Sequence, residues 1–368
     1  MARRPDLGYF ADGKNLLDPA IYAQATAPFG QATNLPVAAY RSLEFALLED
    51  EAVWTRDWIA IGKSSDIPSS GDILPFTVGN HGIHVQRMAD GSLEGRFNNA
   101  QHGGCRFVPV QCQGGTKTKC SFTSCGYSRD GDAIRATEGG HGVPAMHQYL
   151  GLRPERLLRV SVSELHGMIL VNVDGPDKCL PPDAGVNGHI RSALSDKLDL
   201  TGKRWMEFDC NWKLLAQVLA ATEEGVSATH HNAITTRRTL SSGEVLSALW
   251  LFPNVVIVSA GSAACLMVLQ QTAIERTLCR VYIHGTSQSV RSDSKSAMLL
   301  AEVSAAAERA VSAQKALSQP NHPPADFDPL QRDTVAYWGQ AMLVRRLMDL
   351  PSADHAAPMF QSTRHYAI

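Results

Sequence analysis

The sequence lacks several features that would place it in a specialised class of protein. Its 368 residues carry a formal net charge of only −2, so no basic surface for nucleic acid is expected. No run of 18 or more apolar residues occurs, and we therefore predict no transmembrane helix. Eight cysteines in a chain of this length are too few for a disulfide scaffold and are expected mostly as buried thiols. The length is sufficient for two ordinary domains.

The N-terminal segment also lacks the pattern of a secretory signal. It reads MARRPDLGYFADGKN, which is basic but has no apolar core of the kind that a secretory signal requires. We therefore expect a cytoplasmic protein. The residues that follow are rich in Pro, Ala, Gly and Asn, and we predict an arm over residues 1–39 that packs on the second domain.

Short alternating runs predict a small all-β domain over residues 40–155. A helical pattern of apolar residues begins at Tyr40 and leads into a strand at Trp58–Gly62. The run Phe76–Phe97 is typical of antiparallel strands joined by a hairpin turn at Asp90-Gly91. A further pair of β-rich runs follows over Arg156–Gly175, which we take as the passage into a second domain spanning 156–368.

The second domain is predicted to be an antiparallel sheet flanked by helices, so the fold class of the chain is α+β. Predicted strands are Trp205–Trp212, Ser247–Phe252, Asn254–Ser259, Cys265–Thr272 and Thr277–His284. Predicted helices are Ile190–Leu198, Trp212–Glu224, Ser296–Leu317 and Phe327–Leu350, the last with Asp326 or Asp328 as its N-cap.

One segment, residues 99–131, carries the most specific pattern. It reads NAQHGGCRFVPVQCQGGTKTKCSFTSCGYSRDG and resembles the cluster-binding segment of Rieske domains, in particular those of ring-hydroxylating oxygenase α subunits. In that family two loops, Cys-x-His-Arg-Gly and Cys-Pro-Tyr-His-Gly-Trp, hold a [2Fe–2S] centre through two Cys and two His. Here only His102 and Cys120 match ligand positions, because Ala100 and Thr123 stand at the other two.

Further matches to this family follow in the same order along the chain. The entry helix and strand precede the cluster-like segment, and the return strands of Arg156–Gly175 follow it. Asn211-Trp212-Lys213 matches the Asn-Trp-Lys opening of the catalytic domain, and Asp333 matches the acid of a Gln-Asp helix start. The resemblance implies a helix-grip fold for the second domain beside a Rieske-like first domain.

The resemblance also implies a mononuclear iron site, whose ligands in the family are two His and one carboxylate. Of these positions, Asp333 retains its acid, but Glu224 and Thr229 stand where the family has histidines. Ala221 replaces an acid that links the iron to the cluster of a neighbouring subunit. We therefore expect both metal centres to be damaged.

The residues alone allow two alternatives in which a metal site is retained. Glu224, His230 and Asp333, with His231 as a spare, are ligand types that could rebuild a mononuclear site. Against this, adjacent histidines in a polar loop are more often solvated than ligated.

At the first site, a zinc ion or an unusual cluster could be held by His102, Cys105, Cys112, Cys120 and Cys125. The irregular spacing of these residues favours buried thiols instead.

We accordingly predict a non-catalytic oxygenase α-subunit homologue without a cofactor. It would serve as a partner of an active α subunit or as a binder of an apolar small molecule. The alternative is a Rieske-type oxygenase with mononuclear Fe(II), with or without an iron–sulfur cluster, that hydroxylates or demethylates a small organic substrate. The resemblance implies rings of three α subunits, so we expect a homotrimer or a heterotrimer with an intact paralogue.

Overall fold

The computed structural model describes residues 9–11, 13–79, 81–97, 159–175, 178–181, 183–194, 198–221, 225–286, 290–317 and 333–350. These ranges belong to two compact units, the first within residues 50–181 together with Leu350 and the second within residues 9–49 and 182–349. Several predicted features lie outside the described ranges, namely the whole cluster-like segment with His102 and Cys120, the predicted boundary at residue 155, Glu224, and the proposed caps Asp326 and Asp328.

The segment of residues 9–49 belongs to the second unit. Its elements are strands β1 (Phe10–Ala11) and β2 (Lys14–Asn15), a 3-10 turn at Pro19–Tyr22, and helices α1 (Ala38–Arg41) and α2 (Leu43–Glu49). The buried Tyr22 hydroxyl donates to the Leu16 carbonyl at 2.7 Å, which closes the first loop of the arm. The domain limits derived from the sequence stay predictions.

The first unit is built on an antiparallel sheet. After α2 the chain continues as a π-helix, Asp50–Trp54, and then forms strands β3 (Ile59–Lys63), β4 (Ile73–Val78), β5 (His81–Arg87), β6 (Leu93–Phe97), β7 (Arg159–Leu165) and β8 (Met168–Asn172). Their order among the described residues is β3-β8-β7-β6-β5-β4. Its strands are buried over continuous stretches rather than at alternate positions, since all five residues of β8 and five of the six residues of β4 are buried.

The second unit contains a larger antiparallel sheet with helices packed on it. Its elements are α3 (Ala184–Ala193), β9 (Asp199–Phe208), α4 (Trp212–Ala220), β10 (Val226–Thr229), β11 (Ala233–Thr239), β12 (Val245–Leu251), β13 (Val255–Ala260), β14 (Ala263–Ala273), β15 (Arg276–Gly285), α5 (Val290–Leu317) and α6 (Thr334–Met348). In the described ranges the strand order is β10-β11-β12-β13-β14-β15-β9. The α+β class predicted from the sequence is confirmed.

Three element limits differ from the sequence prediction for local reasons. Helix α3 begins earlier than predicted because Asp183 caps it, accepting a hydrogen bond from the Val186 amide at 2.9 Å. Helix α4 ends at Ala220 rather than Glu224, since Ala221 takes an extended conformation with ψ of 148°. Strand β9 ends at Phe208, which frees Asn211 to start α4.

No helix in the described ranges is long and apolar enough to cross a membrane.

The second unit buries three free thiols, Cys210, Cys265 and Cys279. Burial raises the pKa of Cys210 and Cys265 to about 12 and also raises that of Cys279.

Because the thiolate is the reactive form, alkylation of these three buried thiols in the folded protein should be about a thousandfold slower than that of an ordinary thiol, or slower still. The exposed Cys179 is the internal reference. Peptide mass spectrometry after timed iodoacetamide treatment measures each rate, and equal labelling of Cys179 and Cys279 in folded protein would contradict this prediction.

Candidate functional site

Asn211 fixes the start of α4, where the family-like motif lies. Its side-chain oxygen accepts a hydrogen bond from the Lys213 amide at 3.1 Å, and its amide group donates to the Ile274 carbonyl at 2.9 Å. Its backbone amide donates to Gln314 at 3.0 Å. The helix start is thereby tied to the β14–β15 turn and to α5, so the motif has a structural role in this chain.

Lys213, two residues later, forms a buried ion pair with Glu49 at the end of α2. The Lys213 Nζ to Glu49 Oε1 distance is 2.7 Å, and the side chains are 4% and 1% exposed. Burial raises the pKa of Glu49, and the attraction of Lys213 opposes this; burial lowers the pKa of Lys213, and Glu49 opposes that. The ammonium also lies 5.3 Å from the ring centres of Tyr40 and Trp212. The pair joins α2 to α4 inside the second unit.

Aromatic side chains fill the space beside this ion pair. Trp250 packs edge-to-face on Trp338 with ring centres 5.2 Å apart, and Phe252 lies 6.0 Å from Trp212. A Cβ on Gly339 would approach the Trp250 ring to 2.5 Å, so only glycine admits that ring against α6. The remaining gap between these groups measures about 200 Å³ and is too narrow for a water molecule. This part of the interior is filled by the protein itself.

Asp333, the retained candidate ligand, is the N-cap of α6. Its Oδ1 accepts hydrogen bonds from the backbone amides of Val335 at 3.0 Å and Ala336 at 2.9 Å. Burial raises the pKa of the Asp333 carboxyl, and the two hydrogen bonds oppose the rise. The carboxylate therefore satisfies two amides at the helix start that would otherwise lack partners.

His230 lies in the loop after β10, and its ring faces α3. The ring centres of His230 and His189 are 5.1 Å apart. The loop is attached to the last turns of α6, because Arg346 donates to the Asn232 side chain at 2.8 Å. Thr229, at the family's second histidine position, is exposed at the end of β10.

The structure thus attaches two of the candidate iron ligands to different ends of one helix. Helix α6 has 15 residues and is about 22 Å long at 1.5 Å per residue. Asp333 precedes its first turn, whereas the loop of His230 is bound near its last turn. Across the described ranges, no three His, Cys, Asp or Glu side chains come together as a metal site. The described residues therefore do not fit a mononuclear iron centre of two His and one carboxylate.

Comparison of sequences identifies distant relatives. No protein-family model matches the chain. It is 29% identical over 140 residues to the α subunit of N,N-dimethyl phenylurea N-demethylase from Sphingobium sp. strain YBL2, which covers 37% of this chain and 29% of that protein. It is 24% identical over 191 residues to the α subunit of biphenyl 2,3-dioxygenase from Rhodococcus jostii RHA1, which covers 50% and 40%. The chain matches less than half the length of these two relatives.

Comparison of structures extends the likeness to most of the chain. The quaternary ammonium Rieske monooxygenase CntA, in complex with γ-butyrobetaine, superposes with a TM-score of 0.60 at 17% identity, covering 90% of this chain and 99% of that one. This chain is related to the α subunits of Rieske oxygenases. Naphthalene 1,2-dioxygenase from Rhodococcus sp. gives a TM-score of 0.55 at 15% identity. The resemblance stated from the sequence motifs is confirmed.

Sequence reasoning missed two features of this α-subunit homologue. The partner of Lys213 is 164 positions away, although a lysine inside the apolar run WKLLAQVLA is a signal that some buried acid must lie nearby. The approach of His189 to His230 had no sequence signal, because isolated histidines carry no spacing information.

Proposed function

We propose that this α-subunit homologue is non-catalytic and acts as a partner subunit of an active Rieske oxygenase. The proposal rests on the position of Asp333, whose carboxylate caps α6, while the His230 ring faces α3. The sequence supports it further, since Ala100, Thr123 and Ala221 occupy positions at which the family has functional residues. In a heterotrimer, this chain would supply packing surfaces while an intact paralogue supplies both metal centres.

The packing around Trp212 supports a partner subunit over a binder of apolar small molecules in this part of the interior. Ligand sites for drug-sized molecules are usually clefts of about 300–1,000 Å³. The gap among Trp212, Trp250 and Phe252 is smaller than that and admits no water. A ligand could enter this space only if an aromatic ring moved.

The deciding experiment measures iron, acid-labile sulfide and the visible spectrum of the anaerobically purified full chain. It also measures co-purification with an intact α paralogue expressed in the same cells. The proposal expects no stoichiometric iron or sulfide and a stable mixed oligomer. Stoichiometric iron together with substrate turnover, in the presence of a reductase, would overturn it.

The second candidate function is a Rieske-type oxygenase with a rebuilt mononuclear site at Glu224, His230 and Asp333. The observation that favours it is the kind of protein to which the chain is similar, an N-demethylase α subunit and a quaternary ammonium monooxygenase. Under this hypothesis the chain would bind Fe(II) and hydroxylate or demethylate a small organic substrate. Asp333→Ala and His230→Ala should then each abolish iron binding, and unchanged iron content in both variants would exclude it.

Conservative and non-conservative changes at Asp333 separate a helix cap from a metal ligand. Asparagine caps helices about as well as aspartate, whereas alanine in place of a cap costs about 0.5–2 kcal/mol. We therefore expect Asp333→Asn to unfold in urea much like the wild type and Asp333→Ala to be destabilised by that amount. If Asp333 served instead as an iron ligand, Asp333→Asn would lose iron from a protein that carries it while keeping its stability.

A further inference from the structure

Two histidines from different elements of the second unit meet at the surface of helix α3. His189 belongs to α3 and His230 to the loop after β10, and their rings lie 5.1 Å apart at an interplanar angle of 63°. Imidazole nitrogens are ligands that zinc, copper and nickel ions favour. Here the two imidazoles come from separate backbone segments, a helix and a loop.

Helix α3 leaves space for the His230 ring because Gly185 has no side chain where the ring lies. A Cβ on Gly185, one turn before His189, would lie 2.5 Å from Cε1 and 2.7 Å from Nδ1 of His230. Glycine is a poor helix former, yet every residue with a side chain would displace the imidazole. Gly185 thus allows the His230 ring to lie against α3, beside the ring of His189.

One nitrogen of this pair has no hydrogen-bond partner in the described part of the fold. The Nε2 atom of His230 is buried and has no hydrogen-bond partner within the described part of the chain, and such atoms in native proteins call for an explanation. A metal ion bound at this atom would give it the partner that the described part of the fold does not supply.

We propose that His189 and His230 form a two-histidine site for a divalent transition-metal ion of the zinc, nickel and copper type. Water would complete the coordination. The site shares His230 with the rebuilt iron site considered above, but it uses neither Glu224 nor Asp333 and takes His189 as its second ligand. It is independent of the proposed partner role, since a chain without iron or cluster could still bind zinc here.

Calorimetric titration of chelator-treated full-length protein with Zn²⁺ tests the proposal. His189→Asn and His230→Asn should each remove one equivalent of bound zinc or lower the affinity for zinc by at least about tenfold. A tenfold loss is already typical when a residue that only hydrogen-bonds to a metal ligand is changed. His166→Asn is the matched control, because this histidine lies in the β7–β8 turn of the first unit and its loss should leave binding unchanged. Subtracting the zinc bound by each variant from that bound by the wild type corrects for any zinc held by cysteines elsewhere.

A second variant keeps the test decisive if His230→Asn folds poorly. Gly185→Ala retains both imidazoles but pushes the His230 ring away from α3, so it should weaken zinc binding while the helix remains intact by circular dichroism. Zinc stoichiometry and affinity that stay unchanged in His189→Asn would overturn the proposal, and so would an equal loss in His166→Asn.

Discussion

Replacing Lys213 with methionine should destabilise the second unit by about 3–5 kcal/mol, the usual cost of breaking a buried ion pair from one side. The side chain of Glu49 is only 1% exposed, so its carboxylate cannot reach water when its partner is removed. Methionine keeps the length of the lysine chain, and the loss therefore reports the missing charge rather than a cavity. Urea unfolding followed by tryptophan fluorescence measures the change in the free energy of unfolding.

The loss in Lys213→Met should grow with pH. Burial already raises the pKa of Glu49 in the wild type, and removal of Lys213 takes away the attraction that opposes this rise. An acid whose folded-state pKa is raised binds its proton more tightly in the folded state, so stability falls as the pH rises above the unfolded value of about 4.3. The destabilisation should thus be smallest at about pH 4 and largest at neutral pH.

The double variant Glu49→Leu with Lys213→Met is the control for this prediction. Apolar replacement of both partners of a buried pair is often neutral or stabilising, so the double variant should recover most of the stability lost in Lys213→Met. If the two substitutions were simply additive, the pair would not be energetically coupled, and the pH dependence would then need another source.

Replacing Trp250 with alanine should cost about 3–5 kcal/mol, as is typical for a large aromatic side chain removed from a core. Trp250 is 1% exposed, packs edge-to-face on Trp338 and donates its indole N–H to the Pro253 carbonyl at 3.0 Å. The variant loses these contacts and leaves a cavity beside the existing narrow gap. Thermal unfolding monitored by circular dichroism measures the loss.

Added indole distinguishes a cavity from a collapsed core in Trp250→Ala. A ligand that binds only the folded protein stabilises it in proportion to the logarithm of its concentration, so indole should raise the melting temperature of the variant and leave that of the wild type unchanged. Trp250→Phe, which fills part of the space, should lose less stability and respond less. A wild type that responded as strongly as the variant would favour the apolar-binder hypothesis over the partner subunit.

The fold could be predicted from the sequence because its signals are local. Alternating apolar residues predicted β5 and β6, and the four strand runs between residues 247 and 284 correspond to β12, β13, β14 and β15. Each pattern lies within a few residues of the chain, where the period of apolar side chains depends only on strand or helix geometry. The family resemblance rested on the order of such segments and was confirmed by the comparisons.

The roles of individual site residues were decided by the tertiary structure. The sequence offered Asp333 as a metal ligand, but only the position of its carboxylate at the start of α6 gives it two backbone amides to bind. Likewise, Lys213 finds Glu49 164 positions away, and His230 finds His189 on a different element. Local periodicity carries no information about which distant side chains meet, because that depends on how helices and strands pack once they have formed. The sequence alone therefore indicated the relationship to Rieske oxygenase α subunits and the α+β fold, while packing decided which polar groups bind one another.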